Sequence, residues 1–395
     1  MMMFAKPANL RRAALLPLGG VLLAIGPMSP AQQSPVTALP APPADGVMGF
    51  VVTSLVPPVL QEKGACPMGT VLKVRDQYLQ TLPAEERARL SLKENEPELV
   101  TKWQASVFGP NSTNICSQPD MFSRPEMRTV QSKYAQGLAL DGGDPGQSCA
   151  QPQFTSPGGE GGIDNQEYRV MGCTLEWRGT DGLRGDVAVG MQQFIVSGEW
   201  TQVLLLKGVN SLQNDPDVTI IYANTPDRPA SDSQGNLLRG ASFTISTKPP
   251  RERNVLHGRI VNGVLTSDPQ DIKLAQTWGQ GGARDIRGNR TKIDYRRARL
   301  RLTFQPDGSL RGMMGGYKPV FDVVQSPGIG GVGSALVAGI DCAQYLQTLR
   351  KYADGIKDPK TGKCNGISAA LQMTAIPAFV NDIPAGPAQP QRATK

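Results

Sequence analysis

KIDYRRARLRLTFQPDGSLRGMM, residues 292–314, decides how this chain reads. Ala298, Leu300, Leu302 and Phe304 fall on one side of an extended segment, and Arg297, Arg299 and Arg301 fall on the other. That period of two is what a strand with one dry and one wet face requires. QPDGS (305–309) then supplies a turn, with Gly308 free to take positive φ, and apolar residues resume at Leu310. A connection this short joins antiparallel neighbours, because parallel strands need a long crossover.

Upstream the same pattern recurs. IVNGVL (260–265) places Asn262-Gly263 between apolar pairs, the signature of a two-residue type I′ hairpin. Further strand candidates are 168–177, 186–196, 200–208, 218–223, 241–247, 255–261 and 319–325, and an early apolar strand at 47–56 would close the main sheet. Asp, Gly, Pro and Asn turns separate them at sandwich-like intervals. The fold class expected is mainly β with peripheral α: an antiparallel β-sandwich, lectin- or jelly-roll-like, with a helical N-terminal segment and a C-terminal helical hairpin. Composition agrees, since 44 glycines and 33 prolines favour turns over long helices.

The expected organisation along the chain runs as follows. Residues 1–31 read as a signal peptide, with Lys6, Arg11 and Arg12 ahead of a short apolar run and small residues near the cleavage point. Residues 32–45 form a Pro/Ala-rich tether. A partly helical region, 46–148, packs on the sheet; it includes helical patterns at 70–79, 84–92 and 127–138. The sandwich core spans 149–325. A Gly-rich loop and a disulfide-tied helical hairpin (334–352 and 365–375) occupy 326–383, and 384–395 is a disordered tail.

An export signal implies an oxidising destination, periplasmic or secreted, where cysteines pair. The six are Cys66, Cys116, Cys149, Cys173, Cys342 and Cys364. The simplest pairing is by neighbours, Cys66–Cys116, Cys149–Cys173 and Cys342–Cys364, although spacing alone leaves others open. No transmembrane segment is expected in the mature chain, since no run of 18 apolar residues follows the leader.

Several chemistries are disfavoured. With one histidine, His257, the chain lacks the residues for paired-histidine metal sites, and no G-x-S-x-G elbow accompanies it. The balance of 41 basic against 34 acidic residues is too mild to argue for nucleic acid. Gly328–Gly333 matches G-x-G-x-x-G, but no βαβ unit surrounds it, so close packing at a helix start is the better reading.

Two features carry candidate function. The loop between Cys149 and Cys173 holds Glu160, Asp164 and Asn165 among glycines, with Asp141 and Asp144 just before it. Oxygen donors of this kind suit a structural calcium ion, and the plain alternative is a turn of solvated acids. Glu160, Glu167 and Glu176 also offer carboxylates for glycan hydrolysis, which needs two of them facing across a cleft. The second feature is the face formed by Arg297, Arg299 and Arg301, suited to an anionic glycan or a cell-envelope surface, against the plain reading of an ion-paired outer face. The expectation is an exported, soluble, non-enzymatic binding or structural protein for an anionic or carbohydrate ligand. The alternative is a carboxylate-based glycan hydrolase on the same scaffold.

Overall fold

Residues 292–304 do form one strand, but the sheet that contains it curls shut. A computed structural model describes residues 39–140, 148–180, 183–247, 252–275, 292–325, 335–336 and 339–384. The segments expected as signal peptide and, for the most part, as tether, the Gly328–Gly333 loop and all but the first residue of the expected tail lie outside the described residues.

The strands are β1 (Met48–Val56), β2 (Gln202–Lys207), β3 (Asn214–Asn224), β4 (Ser242–Thr244), β5 (Arg253–Val261), β6 (Val264–Ser267), β7 (Gln270–Ala275), β8 (Lys292–Phe304), β9 (Leu310–Pro319), β10 (Gly355–Lys357) and β11 (Cys364–Asn381). Eight of them, in the order β1-β2-β3-β5-β6-β8-β9-β11, pair antiparallel, and β11 pairs back onto β1. The expected sandwich is therefore corrected to a closed antiparallel barrel with β4, β7 and β10 attached. Period-two alternation serves both architectures equally well. What separates them is the pairing of Gly49 through Val56 with Ala378 through Gln372, which closes the sheet and leaves no long edge.

Alternation puts Phe50, Leu204, Ile220, Tyr222, Leu256, Leu300, Leu302, Met314, Leu371 and Met373 inside, all nearly or fully buried. The lumen is thus a packed core. The Asn262-Gly263 hairpin forms as read, with φ of 52° and 77°, and Gly308 turns the chain into β9 at 79°.

A second core sits beside the barrel. It gathers α1 (Val74–Thr81), α2 (Ala84–Leu90), α3 (Glu96–Ala105), α4 (Gln166–Met171), α5 (Leu175–Arg178), α7 (Val320–Gln325) and α8 (Cys342–Lys351). Helix α6 (Asp186–Val196) instead packs Ala188, Met191 and Ile195 onto the barrel core near β1.

Segments 168–177 and 186–196, expected as strands, are helical. Asn165 Oδ1 accepts from the Tyr168 amide at 3.2 Å and caps α4, and Thr174 Oγ1 accepts from Trp177 N at 3.3 Å and caps α5. In α6 the buried positions follow helical spacing, which outweighs its β-branched content. The opposite correction applies to 365–375, expected as a helix but part of the 18-residue strand β11. That segment is buried almost throughout, so hydrophobic period does not separate helix from strand there. The C-terminal helical hairpin accordingly does not form, and 127–138 is irregular, with isolated bridges at Tyr134 and Leu138 rather than a helix.

The bridges also differ from neighbour pairing. They are Cys66–Cys173, Cys116–Cys342 and Cys149–Cys364, with Cα separations of 5.8, 4.9 and 6.1 Å, in the usual bonding range. All six cysteines belong to the second core or pack against it. The staples therefore hold the helical region together and tie it to the root of β11, while the barrel relies on its own apolar interior.

Candidate functional site

Strand β8 carries the arginines singled out from the sequence, but a β-bulge changes their phase. Arg296 pairs with Tyr317 and Arg299 with Gly315, so two residues of β8 face one of β9. Arg297 is the extra residue, with φ of 49°. Asp271 holds the bulge: Oδ1 accepts from Arg297 N at 3.0 Å and Oδ2 from Arg296 Nη1 at 2.6 Å. Tyr295 and Ala298 both point inward across this irregularity.

The three arginines therefore do not form one equivalent row. Arg299 is half-buried beneath the 138–140 segment, donating from Nη1 to Ala139 O at 3.3 Å, and its buried Nε has no partner among the described residues. Arg297 is half-buried at the bulge. Arg301 is exposed, and its Nη1 donates to both oxygens of Glu160, at 3.0 and 2.8 Å.

Closure supplies Arg301 with neighbours the sequence did not bring together. Arg259 of β5 pairs with Thr266, Thr266 with Arg301, Arg301 with Met313, and Met313 with Gln372. The adjacent row runs Val261, Val264, Thr303, Arg311 and Thr374. Arg259, Arg301 and Arg311 are all exposed. Arg259 and Arg301 stand two strand spacings apart, about 10 Å, and Arg311 lies diagonally from Arg301 at about 7–8 Å. Arg259 meets Asp268 only at 3.6 Å, with both side chains more than half exposed. Arg311 has no ion-pair partner among the described residues. The signal for Arg259 and Arg311 was legible as outward positions of HGRIV and LRGMM, but their convergence on Arg301 was not.

The acidic residues are dispersed. Glu160 sits at an exposed hairpin tip. Asp164 is buried; its Oδ2 accepts from Leu140 N at 2.7 Å and its Oδ1 from Gln153 Nε2 at 2.9 Å. Asn165 caps α4 and donates to Gln136 O at 2.7 Å. The oxygens of Asp164 and Asn165 are thus engaged by protein donors, and no group of three His, Cys, Asp or Glu side chains suited to a metal occurs among the described residues. Asp141 and Asp144 lie outside those residues.

Glu167 is buried at the other end of the barrel, where its Oε1 meets Lys318 Nζ at 2.6 Å. Lys318 lies on β9 beyond Met313, the partner of Arg301, roughly 17 Å along the strand at about 3.3 Å per residue. Glu176 is on α5, lining a shallow surface indentation with Lys73 and Tyr345. Carboxylates named together from sequence are thus dispersed: among the described residues Glu160 is exposed on the outer face, Glu167 is buried against Lys318, and Glu176 lies on α5.

The Glu167–Lys318 pair belongs to a polar layer across the barrel end, with Tyr295 and with Tyr222, whose hydroxyl donates to Gln202 Oε1. Burial, then the nearby Glu167 charge, pushes the Tyr295 hydroxyl well above the ordinary phenol range, and burial does the same for Tyr222. Both hydroxyls therefore keep their protons at neutral pH. Trp177 and Trp200 are buried, and Trp278 lies outside the described residues. His257 is exposed on β5, and its ring has no hydrogen-bond partner among the described residues.

Comparison of the chain with models of known protein families, with curated proteins and with solved structures gives no match. No described helix is long and apolar enough to cross a membrane.

Proposed function

We propose that this is an extracytoplasmic binding protein that engages an anionic glycan on the outer face of its barrel, around Arg259, Arg301 and Arg311. The observation that carries this reading is the exposure of those three arginines on neighbouring strands of one continuous sheet surface. Thr266, Thr303 and Gln372 lie between and beside them, offering hydroxyl and amide partners for sugar oxygens. A strand-borne surface of this kind suits a linear polymer better than a small solute, and the apolar filling of the lumen favours binding outside over binding within. Three disulfides fit an oxidising compartment, and the basic, Leu/Ala-rich start of the chain fits an exported precursor.

The test is binding of the oxidised protein to heparin and to polygalacturonate, at low and at physiological salt. Wild type should bind at least one polymer, weakening as salt screens the arginines. The variant R259E/R301E/R311E should lose that binding while keeping its melting midpoint. Equal binding by the triple variant, or no salt-sensitive binding to either polymer, overturns the assignment. Binding to anionic vesicles alone would likewise reject a glycan in favour of a lipid surface.

A further inference from the structure

Arg301 carries an acid of the protein's own. Residues 154–163 form a hairpin whose roots are buried, with Phe154 and Ile163 exchanging backbone hydrogen bonds at 2.9 Å each way. Its tip is built differently. Ser156 N donates to Glu160 O at 2.7 Å, Gly159 N to Ser156 O at 2.9 Å and Glu160 N to Ser156 Oγ at 3.0 Å, so the turn is satisfied internally. Around Glu160 stand Gly158, Gly159, Gly161 and Gly162, and a Cβ added at Gly159 or Gly161 would meet nothing within 4 Å. Residues 157–161 are accordingly exposed. Among the described residues, the Glu160–Arg301 ion pair is what ties it to the barrel wall.

That tie is weak by construction. Both side chains are about half exposed, at 48% and 50%. The carboxylate takes both its hydrogen bonds from one nitrogen, Nη1, rather than using the two-nitrogen fork that makes arginine–carboxylate pairs strong. Exposed pairs of this kind are easily displaced. The partner Glu160 has taken is the central member of the arginine face.

We propose that Glu160 is a built-in competitor for the anionic ligand: its carboxylate occupies Arg301 in the free protein, and a ligand carboxylate or sulfate displaces it, swinging the glycine-flanked tip off the sheet. This rests on the glycan reading of the face and adds its regulation. The glycines allow the tip to leave without disturbing the buried hairpin roots. Arg259 and Arg311 provide the first electrostatic contact and Arg301 the contact made after exchange. The effective affinity is then lower than the arginine face alone would give.

Two measurements on the full oxidised mature chain separate this device from the ligand assignment. The first needs no ligand: phenylglyoxal labelling of Arg301, followed by mass spectrometry, should run about two- to fivefold faster in E160Q than in wild type, the factor expected for releasing an exposed ion pair. The second is heparin and polygalacturonate affinity. E160Q should bind about two- to fivefold tighter than wild type, and the gain should vanish in R301Q/E160Q compared with R301Q. Unchanged Arg301 labelling overturns the competitor even if wild type binds polymer well. So does E160Q binding no tighter than wild type while R301Q weakens binding, since Glu160 would then be a structural strut. Faster labelling with no polymer bound by any variant removes the glycan reading, and the competitor role with it.

Discussion

Replacing Cys116 and Cys342 together by alanine tests the central claim about how the two cores are held. The bridge joins residues 226 apart in sequence. In an otherwise open chain, closing such a loop restricts the unfolded state by about 5 kcal/mol. The Cys149–Cys364 bridge shortens the path: from Cys116 the chain runs to Cys149, crosses to Cys364 and returns to Cys342, an effective loop of about 55 residues, which lowers the figure to about 4 kcal/mol. Both sulfurs are fully buried, and losing their packing adds about 1 kcal/mol. The expected loss is about 5 kcal/mol, or about 7 °C in melting midpoint for a folded unit of this length. The loss should also be local. By hydrogen exchange, amides around Leu99, Trp103 and Leu346 in the second core should lose protection, while those of Ile220 and Leu256 in the barrel keep theirs. A loss below about 1 kcal/mol, or protection falling equally in both cores, refutes the assignment of the staples to the helical region. Non-reducing peptide mapping that recovers Cys342 joined to Cys364 would refute the pairing itself.

Other outcomes follow from the charges. Lys318→Met strands the buried Glu167 carboxylate and should cost about 3 kcal/mol in urea unfolding, whereas adding Glu167→Gln should restore more than half of it; a single variant within 1 kcal/mol of wild type would remove the pair from the list of structural determinants. On the helical surface, hydrogen bonds first from Arg89 and then from Lys102 hold the Glu86 and Glu98 carboxyls down at about 2. These carboxyls titrate lower folded than unfolded, so their contribution is complete above the ordinary glutamate range and is lost as pH falls through about 2. Carbon-detected NMR titration should place both midpoints near 2 in wild type and back toward ordinary values in Arg89→Met. Ordinary midpoints in wild type would dissolve the network.

What was legible in this sequence is what local chemistry encodes. Asn262-Gly263 makes its hairpin because its neighbours in sequence are also its neighbours in space, and the Ala298–Phe304 alternation follows from the pleat of one strand. The bulge was hidden, because it depends on Asp271 reaching the Arg297 amide from another strand. Helix α6 left a usable trace in the spacing of Ala188, Met191 and Ile195, masked by valines and isoleucine that suit a strand. For 365–375 there was no trace to use, since a segment buried on both sides has no polar phase. At the candidate site, Arg301 and Glu160 were each picked out, but their contact spans 141 residues and no spacing rule predicts it.

The sequence by itself determined that the chain is turn-rich and mainly β, that its central strands pair antiparallel, and that its cysteines suit an oxidising compartment. These follow from side-chain period, turn residues and composition, all of them short-range. Tertiary structure alone decided that the sheet closes on itself as a barrel, which cysteines meet, and which arginines share a surface. Each of those depends on segments far apart in the chain arriving side by side, as Thr53 and Thr374 do across the seam, 321 residues apart. Closure wins because it pairs the backbone groups that an open sheet would leave at its two edges while keeping the apolar faces inside.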